Sequence, residues 1–428
     1  MKIWYITMQF PAPAETFAAT DIRALRRVGA DVSVHSLRPA HEDTKRFMRE
    51  RSTVGVPITH NSAVNVIVGL FECLRHPAIT VGLLLWLFKT CYKQRNKLFT
   101  SIVLVPRVVQ LFVQIERERP DVVHLFWGHY PAMVGYLVQK HRPQTVLSVF
   151  LGAYDLVQRY GGSAPVARAA DAVWTHAQVN VKDIEALGVS PDHLQVVYRG
   201  TDLSAVKSLQ RSPYKSPRRI VSASRLIPAK GVDSVIYTFE KVVQRWPDAS
   251  LVILGDGGQR ENLEALVESL GLGQSVTFLG HVSQETVLAE LDLAEVFLFL
   301  SRKPSERLPN VVKEAMSCKC LCIVTETPGI EELLRDKEHG FVVTKEHPLE
   351  AAEILNDAFS GRIDTASIVE AAYKHVSEAF DVDTLMVRYY DTWENIRDEK
   401  QQSGTDDRRD HRPKTLFGKF RAKSKGRV

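Results

Sequence analysis

The stretch KIWYITMQFPAPAETFAATDIRALRRVGADVSVHSL, residues 2–37, decides the fold class. Residues 2–7 are an apolar run typical of a buried strand, residues 15–28 carry apolar side chains at helical spacing, and residues 31–37 return to a strand pattern. A strand, a helix and a second strand in this order indicate a βαβ unit with parallel strands. The beginning of the chain therefore predicts an α/β protein.

The same alternation continues along the chain on both sides of a polar segment with two prolines, KSLQRSPYKSP, which is typical of an interdomain linker. Because parallel sheets are covered by helices on both faces, we expect two doubly wound Rossmann-like domains that face each other across a cleft. The apolar runs that predict strands are 122–126, 145–150, 172–175 and 194–198 before the linker, and 219–224, 250–254, 275–279, 296–300 and 321–324 after it.

The domain boundaries follow from these runs and from the charge pattern. We expect the last helix to pack back on the N-terminal domain and the basic end of the chain to be disordered. The predicted segments are an N-terminal domain, 1–206, with a helical insert, 64–114; a linker, 207–217; a C-terminal domain, 218–375; a C-terminal helix, 376–398; and a basic tail, 399–428.

Charge is concentrated at the end of the chain. Residues 411–428 contain seven Lys or Arg and no acidic residue, so that a formal net charge of +5 leaves −2 for the rest of the 428 residues. A nearly neutral body gives no reason to expect a nucleic-acid partner. The tail either contacts an anionic membrane or another polyanion, or it is a solvated extension, and the sequence leaves both interpretations open.

The insert is apolar and is followed by basic residues. The run AITVGLLLWLF, residues 78–88, precedes Lys89, Lys93, Arg95 and Lys97. A run of this length is shorter than the roughly 20 residues that a membrane-spanning helix needs. Residues 64–97 could therefore lie on a membrane surface or pack on the first domain.

Cysteine usage and the first residues of the chain bear on its location. The five cysteines are odd in number and show no metal-binding spacing, and three of them alternate in CKCLC, residues 318–322, as in a buried strand. The chain begins with an apolar strand rather than a secretion signal. We expect a cytoplasmic protein that is either free or peripheral at the inner face of the plasma membrane.

A group of charged residues in the second domain suits an anionic ligand. Arg225 follows the strand RIVSAS, and Lys230 lies five residues later where a helix begins, so two cations and helical N–H groups could neutralise a diphosphate. In SERLPNVVKEAM, residues 305–316, Pro309 suits the first turn of a helix. Glu314 within that helix could accept hydrogen bonds from a ribose, and Glu306 in the preceding loop could contact the other end of a nucleotide sugar.

Four blocks, RLIPAKG, VILGDGGQRENL with FLGHV, SERLPNVVKEAM and TPGIEELLRDKEHGFVV, have the order and spacing of retaining GT-B glycosyltransferases that use nucleotide sugars, of the glycosyltransferase group 1 type. SERLPNVVKEAM resembles the E-x7-E motif of that family. The resemblance covers residues 219–345. The first half is more loosely similar to members that build bacterial exopolysaccharide or lipopolysaccharide, through FPAPAETF, DVVHLFWGHYPA, SVFLGAYDL and VVYRGTDL.

The resemblance implies a reaction and a set of roles. A sugar would pass with retention from a nucleotide-diphosphate sugar to a hydroxyl of a glycan or lipid-linked glycan, in the synthesis of exopolysaccharide, capsule or lipopolysaccharide, without a metal ion or cofactor. The implied site comprises catalytic Glu306, Arg225 and Lys230; donor-binding Arg225, Lys230, Glu314, Leu308, Pro309, Asn310 and Val311; and acceptor-binding Glu15, Thr16 and Asp155.

Departures from the family pattern leave two alternatives. Gly152 stands where many relatives carry a histidine, and Arg307 stands where a glycine is usual. A catalytically silent sugar-nucleotide-binding or membrane scaffold protein is therefore one alternative. A dehydrogenase is another, because LGDGGQREN contains a glycine turn, although the third glycine of G-x-G-x-x-G would fall at Arg260. The D-x-D at 381–383 is better suited to capping a helix than to binding a metal.

Overall fold

The computed structural model describes residues 1–12, 16–203, 206, 215–304 and 306–410; the side chains of residue 16 and of 403–410 lie outside this description. The described chain contains two sheets in which all neighbouring strands run parallel. The first has the order β3-β2-β1-β4-β5-β6-β7. Its strands are β1 (Lys2–Thr7), β2 (Asp31–Ser36), β3 (Ile58–Thr59), β4 (Val122–Phe126), β5 (Val146–Phe150), β6 (Ala172–Thr175) and β7 (Leu194–Val196).

The second sheet has the order β10-β9-β8-β11-β12-β13. The prediction of two doubly wound α/β domains is therefore confirmed. Within the predicted linker, residues 207–214 lie outside the described residues. The strands of this sheet are β8 (Ser216–Ala223), β9 (Ser250–Leu254), β10 (Val276–Gly280), β11 (Ala294–Phe299), β12 (Leu321–Thr325) and β13 (Phe341–Val343).

Helices alternate with the strands and cover both sheets. The helices of the first domain are α1 (Thr16–Arg27), α2 (Thr44–Glu50), α3 (Ala63–Arg75), α4 (Pro77–Cys91), α5 (Arg95–Glu118), α6 (Ala132–His141), α7 (Ala153–Gln158), α8 (Ser163–Ala169) and α9 (Val181–Glu185). The remaining helices are α10 (Val232–Val243), α11 (Arg260–Ser269), α12 (Gln284–Leu293), α13 (Asn310–Ser317), α14 (Pro348–Phe359), α15 (Thr365–Ala379) and α16 (Val382–Asp410).

The strands are apolar on both faces because helices pack on each side of the sheet. Ile3, Trp4, Tyr5 and Ile6 in β1 are at most 1% exposed. A parallel strand buried on both faces requires such a continuous apolar run. Burying each large apolar side chain contributes roughly 1.5–3 kcal/mol, so the runs that identify the strands also stabilise the two domains.

Each sheet has a point where the order of strands reverses. In the first sheet β1 lies between β2 and β4, and in the second sheet β8 lies between β9 and β11. The loops that leave neighbouring strands at such a point diverge to opposite faces and leave a crevice at the carboxyl ends of the strands. Arg225 follows β8 and Glu306 follows β11, so the fold brings both residues to the same crevice.

The last helix returns to the first domain. Trp393 on α16 is fully buried in the N-terminal core, and its Nε1 donates a hydrogen bond to Ser148 Oγ at 2.9 Å. The expected boundaries of this helix, 376–398, are wrong. α15 ends at Ala379 and α16 runs from Val382 to Asp410, and residues 399–410 contain no proline that would stop the helix. The basic segment 411–428 lies outside the described residues.

The chain connects the domains twice, and the two connections lie side by side. Thr201 N–H donates to Phe380 O at 2.8 Å, and Val382 N–H donates to Thr201 O at 3.2 Å. A Cβ added at Gly200 would lie 2.4 Å from Val382 Cα. Only a glycine therefore allows the two connections to approach this closely.

Two further contacts join the domains near the cleft. The carboxylate of Glu332, in the second domain, accepts hydrogen bonds from the backbone N–H groups of Gln178 and Val179 at 2.6 and 3.0 Å. Lys313 on α13 is fully buried, and its Nζ donates to Arg199 O at 2.7 Å. Backbone groups of the first domain are thus held by charged side chains of the second domain.

The predicted insert consists of the three helices α3, α4 and α5. α3 and α4 are bent by 102° at their junction, and a Cβ at Gly69 would lie 2.3 Å from Pro106 O, so α3 crosses α5 closely there. Among the described residues, α5 is long and apolar enough to cross a membrane, and α3 with α4 would form a second such segment only as a bent pair. Most of the apolar window of α5, 61%, is buried within the protein.

Candidate active site

A cavity of about 530 Å³ lies between the domains at the carboxyl end of the second sheet. Arg225 from the loop after β8, Asn310 and Val311 at the start of α13, and Glu314 one turn further along line this cavity. The structure therefore brings Arg225 into the same cavity as the start of α13 and Glu314, which are far from it in the sequence. This volume lies in the range of small-molecule sites.

Lys230 and Glu306 form an ion pair beside this cavity. Lys230 Nζ lies 2.6 Å from Glu306 Oε2, and the two side chains are 12% and 13% exposed. Ser301 Oγ also donates to Glu306 Oε2 at 3.2 Å. Burial lowers the pKa of Lys230, while Glu306 raises it and the charge of Arg225 lowers it further. Arg225 and Lys230 are therefore within electrostatic range of each other.

The loop that carries Lys230 is fixed against the loop after β11. Gly231 has φ 64°, and a Cβ at this position would lie 2.0 Å from Leu300 O. Arg302 N–H donates to Ala229 O at 3.0 Å. The glycine permits this contact, and the contact sets the distance between the ammonium of Lys230 and the carboxylate of Glu306.

The glycine turn after β9 supports the loop that carries Arg225. A Cβ at Gly255 would lie 1.8 Å from Ser224 O, and Leu226 N–H donates to Asp256 O at 2.9 Å. Close approach of the two loops accounts for this glycine. The dehydrogenase alternative rested on the same turn, which here packs on a neighbouring loop.

Glu314 faces the cavity from the helix that follows Glu306. Burial raises its pKa to about 7, against the opposing effect of Lys313, and Gln284 Nε2 donates to Glu314 Oε1 at 3.2 Å. Pro309, expected in the first turn, instead lies immediately before α13, and Leu308 has φ 42°. Asn310 and Val311, the first residues of α13, line the cavity, so the positive end of this helix lies at the cavity.

Asp155, which was predicted to bind the acceptor, is buried and fixes neighbouring backbone groups. Its carboxylate is 1% exposed and accepts hydrogen bonds from the N–H groups of Gly128 and Gly152 at 3.0 and 3.1 Å; His129 Nδ1 lies 3.1 Å away. A carboxylate buried in this way presents almost no surface to an acceptor. The predicted Glu15 lies outside the described residues, and Thr16 begins α1 with a side chain that is not described.

The absence of a histidine at position 152 has a steric reason. A Cβ at Gly152 would lie 2.8 Å from Trp127 Cζ3 and 3.2 Å from the Phe150 ring. Trp127 occupies this space with φ 92°, a conformation that side-chain-bearing residues rarely adopt. The residue after β4 thus excludes a side chain at the position where many relatives carry one.

The first histidine of the block DVVHLFWGHYPA and the D-x-D sequence at 381–383 both have structural roles. His124 is 1% exposed, its Nδ1 lies 2.9 Å from Ser148 Oγ, and burial lowers its pKa to about 3. In the D-x-D sequence, Asp381 Oδ1 accepts a hydrogen bond from the N–H of Asp383 at 3.2 Å, and Asp383 forms an ion pair with Arg27 at 2.5 Å. Both acidic side chains of this motif thus stabilise the start of α16 through these contacts.

The sequence did not predict that the first domain contributes a wall to the cavity. Arg46, Phe47 and Glu50 on α2, with Asp43 and Arg51 beside it, line the cavity opposite Arg225. Arg46 and Arg51 lie over the Phe47 ring, 5.1 and 4.9 Å from its centroid. The α2 segment is polar and shows no motif. Its position after β2, at the carboxyl edge of the sheet, is the sequence feature that could have indicated a contribution to the cavity.

Comparison with known proteins identifies the family. The model of the family described as glycosyl transferases group 1 matches residues 207–375, which contain the whole second sheet and the cavity residues that follow its strands. The second domain of the chain is therefore a group 1 glycosyltransferase domain.

Relatives of this glycosyltransferase extend the match to the first domain. The amylovoran biosynthesis glycosyltransferase AmsK of Erwinia amylovora is 23% identical over 412 residues, which cover 89% of the chain and 96% of the relative. The lipopolysaccharide core biosynthesis glycosyltransferase LpsE of Rhizobium meliloti is 24% identical over 50% of the chain and 64% of the relative. The likeness to AmsK thus includes both domains.

Solved structures share the fold of this glycosyltransferase. Anabaena Alr3699/HepE in complex with UDP has a TM-score of 0.69 at 19% identity, and the match covers 92% of the chain and 100% of that structure. Its complex with UDP-glucose has a TM-score of 0.66. The two-domain GT-B fold that the resemblance implied is confirmed.

Proposed function

We propose that this glycosyltransferase moves a sugar from a nucleotide-diphosphate sugar to an acceptor hydroxyl with retention of configuration. The observation that carries the proposal is the convergence of Arg225 and Glu314 in one cavity, with the Lys230–Glu306 pair beside it. The solved structures with UDP and UDP-glucose support the choice of donor, because they share the fold over most of the chain.

In the proposed mechanism, negative charge develops on the diphosphate as the bond to the anomeric carbon breaks. Lys230, which is paired with Glu306, and the N–H groups of Asn310 and Val311 are fixed before the reaction, so they stabilise the leaving group without reorganisation. Arg225 in the cavity wall adds a second positive charge. Glu314 accepts hydrogen bonds from the ribose. No metal ion or cofactor is assigned a role, because these groups supply the positive potential.

Glu306 is placed at the sugar end of the donor. Its carboxylate is held by Lys230 and Ser301, at 2.6 and 3.2 Å, which fixes its orientation. We propose that this carboxylate orients the transferred sugar and stabilises positive charge at the anomeric carbon while the acceptor hydroxyl attacks the same face. Lys230 is then shared between Glu306 and the diphosphate.

The acceptor is proposed to be a glycan or lipid-linked glycan of a cell-surface polysaccharide. The names of AmsK and LpsE refer to amylovoran and to the lipopolysaccharide core, and the likeness to AmsK covers 89% of the chain. We place the reaction on the cytoplasmic side of the membrane. All five cysteines are free thiols, which suits a reducing compartment.

A donor screen tests the reaction. Incubation with UDP-, GDP- and ADP-sugars should release nucleoside diphosphate from one donor class, and the product should carry the anomeric configuration of that donor by NMR. Inversion of the anomeric centre would contradict the proposed stereochemistry. Tight nucleotide-sugar binding without release, even with a cell-envelope extract as acceptor source, would favour the silent binding protein.

The affinity for the nucleotide is expected to depend on pH through Glu314. With a pKa of about 7, this side chain is protonated at lower pH and cannot accept two hydrogen bonds from a ribose. Affinity should therefore rise as pH increases through 7, by up to about tenfold per pH unit on the acidic side. Calorimetric titration with the nucleoside diphosphate measures this change.

Glu314→Gln is the matched control, because His281 and Arg225 in the same cavity and the phosphates of the ligand are unchanged. The variant should bind about tenfold more weakly than the wild type at high pH, the usual effect of losing a hydrogen bond to a charged group. Its affinity should lose the rise through pH 7. An equally steep pH dependence in the variant would assign the titration to another group.

A further inference from the structure

The outer face of α3 is apolar. Val64, Ile67, Phe71 and Leu74 follow one another at helical spacing and are 68%, 67%, 61% and 81% exposed. A helix on the surface of a soluble protein normally turns such a stripe toward the core. Here the stripe points away from the protein.

The outer face of α4 and of the residue that follows it repeats this pattern. Val81, Leu85, Phe88 and Tyr92 are 53%, 65%, 51% and 60% exposed. The inner face of the same helix is packed separately, since Leu83, Leu87 and Cys91 are fully buried. The exposed stripe is therefore additional to the packing face, and exposed apolar surface on this scale marks an interaction site.

The charges around these stripes are of one sign. Arg75, Lys89 and Lys93 are exposed at or just beyond the ends of the two helices. The sole acidic residue between positions 63 and 103 is Glu72, which is buried at 7% exposure. A surface that combines apolar side chains with unopposed basic residues complements an anionic, apolar partner.

We propose that the docking face, defined as the exposed stripes of α3 and α4 with Arg75, Lys89 and Lys93, lies on an anionic phospholipid membrane. Apolar side chains would enter the boundary between headgroups and acyl chains, and the basic side chains would contact anionic headgroups. This inference goes beyond the proposed function and does not depend on the identity of the donor or acceptor.

The geometry favours docking on the membrane surface over spanning it. The helices contain 13 and 15 residues, are bent by 102° at their junction, and are each shorter than the roughly 20 residues that span a bilayer. Their inner sides are attached to the domain, α3 through Gly69 at Pro106 and α4 through Trp86, whose ring stacks on Tyr136 at 4.7 Å. Only the outer stripes are available to lipid.

Vesicle cosedimentation of the full-length protein tests this proposal. The protein should bind vesicles of phosphatidylcholine with phosphatidylglycerol, and bind vesicles of phosphatidylcholine alone at least about tenfold more weakly. Replacing Phe71 and Leu74 together with serine should lower the partition coefficient on anionic vesicles by about tenfold or more, because two large apolar side chains no longer leave water. Lys89→Ala with Lys93→Ala should produce a similar loss that high salt abolishes.

Matched controls come from the second domain. Leu349→Ser removes an apolar side chain that is 60% exposed, and Lys374→Ala removes an exposed lysine; neither should change vesicle binding. All variants should keep the thermal unfolding temperature and the nucleotide affinity of the wild type, which separates loss of docking from failure to fold.

Three results would overturn the proposal. The first is that the wild type does not bind anionic vesicles. The second is that the Phe71 and Leu74 variant binds them as well as the wild type, which would assign binding to another segment such as 411–428. The third is that the wild type, without lipid, forms an oligomer that this variant loses, which would identify a second copy of the chain as the occupant.

Discussion

Lys230→Ala is expected to lower the turnover number by about two orders of magnitude or more, the usual effect of removing one preorganised charge-stabilising donor. The ammonium lies 2.6 Å from Glu306 and within electrostatic range of Arg225, so in the proposed mechanism it links the carboxylate at the sugar to the site of the diphosphate. Its removal takes away a positive charge where the leaving group becomes negative. Initial rates of nucleoside diphosphate release at saturating donor measure the effect.

Two further variants define the role of this lysine. Lys230→Arg keeps the charge but changes its shape, so it should recover part of the lost turnover. Lys303→Ala removes a neighbouring cation that, unlike Lys230, forms no ion pair with Glu306 in the described part of the chain, and it should change turnover only a few-fold. Wild-type turnover in Lys230→Ala, or an equal loss in Lys303→Ala, would refute the assignment of Lys230 to the leaving group.

Gly231→Ala is expected to lower the thermal unfolding midpoint by about 5 °C or more, corresponding to a loss of roughly 3 kcal/mol. The residue has φ 64°, and the added Cβ would lie 2.0 Å from Leu300 O, so the loop must move away from β11. Turnover should fall as well, because the same movement separates Lys230 from Glu306. Differential scanning fluorimetry and calorimetry measure the midpoint.

Gly258→Ala is the matched control. It changes a glycine in the turn after β9, where an added Cβ would have no neighbour within 4 Å. Its effect should stay within about 0.5 kcal/mol, as for most surface substitutions. Equal destabilisation by both variants would show that the close contact at Leu300 is not the reason for the glycine at position 231.

Much of the fold could be predicted because buried parallel strands need continuous apolar runs. The runs 122–126 and 250–254 coincide with β4 and β9. Two edge strands are too short to give this signal: β3 has two residues and β13 three, and neither was predicted. The polar continuation of α16 to Asp410 was also missed, since a polar composition alone does not distinguish a solvated helix from a disordered tail.

The position of a site residue could be predicted where that residue directly follows a strand at the point at which the strand order of the sheet reverses. Arg225 and Glu306 satisfy this condition, and Glu314 lies on the next helix. The contribution of α2 was signalled only by its position after β2, and that position does not fix the contact, because the contact depends on the orientation of one domain relative to the other. The burial of Asp155 was likewise not visible, since its partners Gly128 and Gly152 are backbone groups that carry no side-chain signal.

The paired connections at Thr201 and Asp381 limit how this enzyme can open. The segment that leaves the first domain and the segment that re-enters it are hydrogen-bonded to each other. The domains therefore cannot slide apart and can only rotate about that point. Release of a used nucleotide would then require a rocking motion that breaks the Glu332 and Lys313 contacts while the paired segment stays intact. Truncating the chain before Val382 would remove one of the two hydrogen bonds of this pivot and, with it, the Trp393 side chain from the core of the first domain.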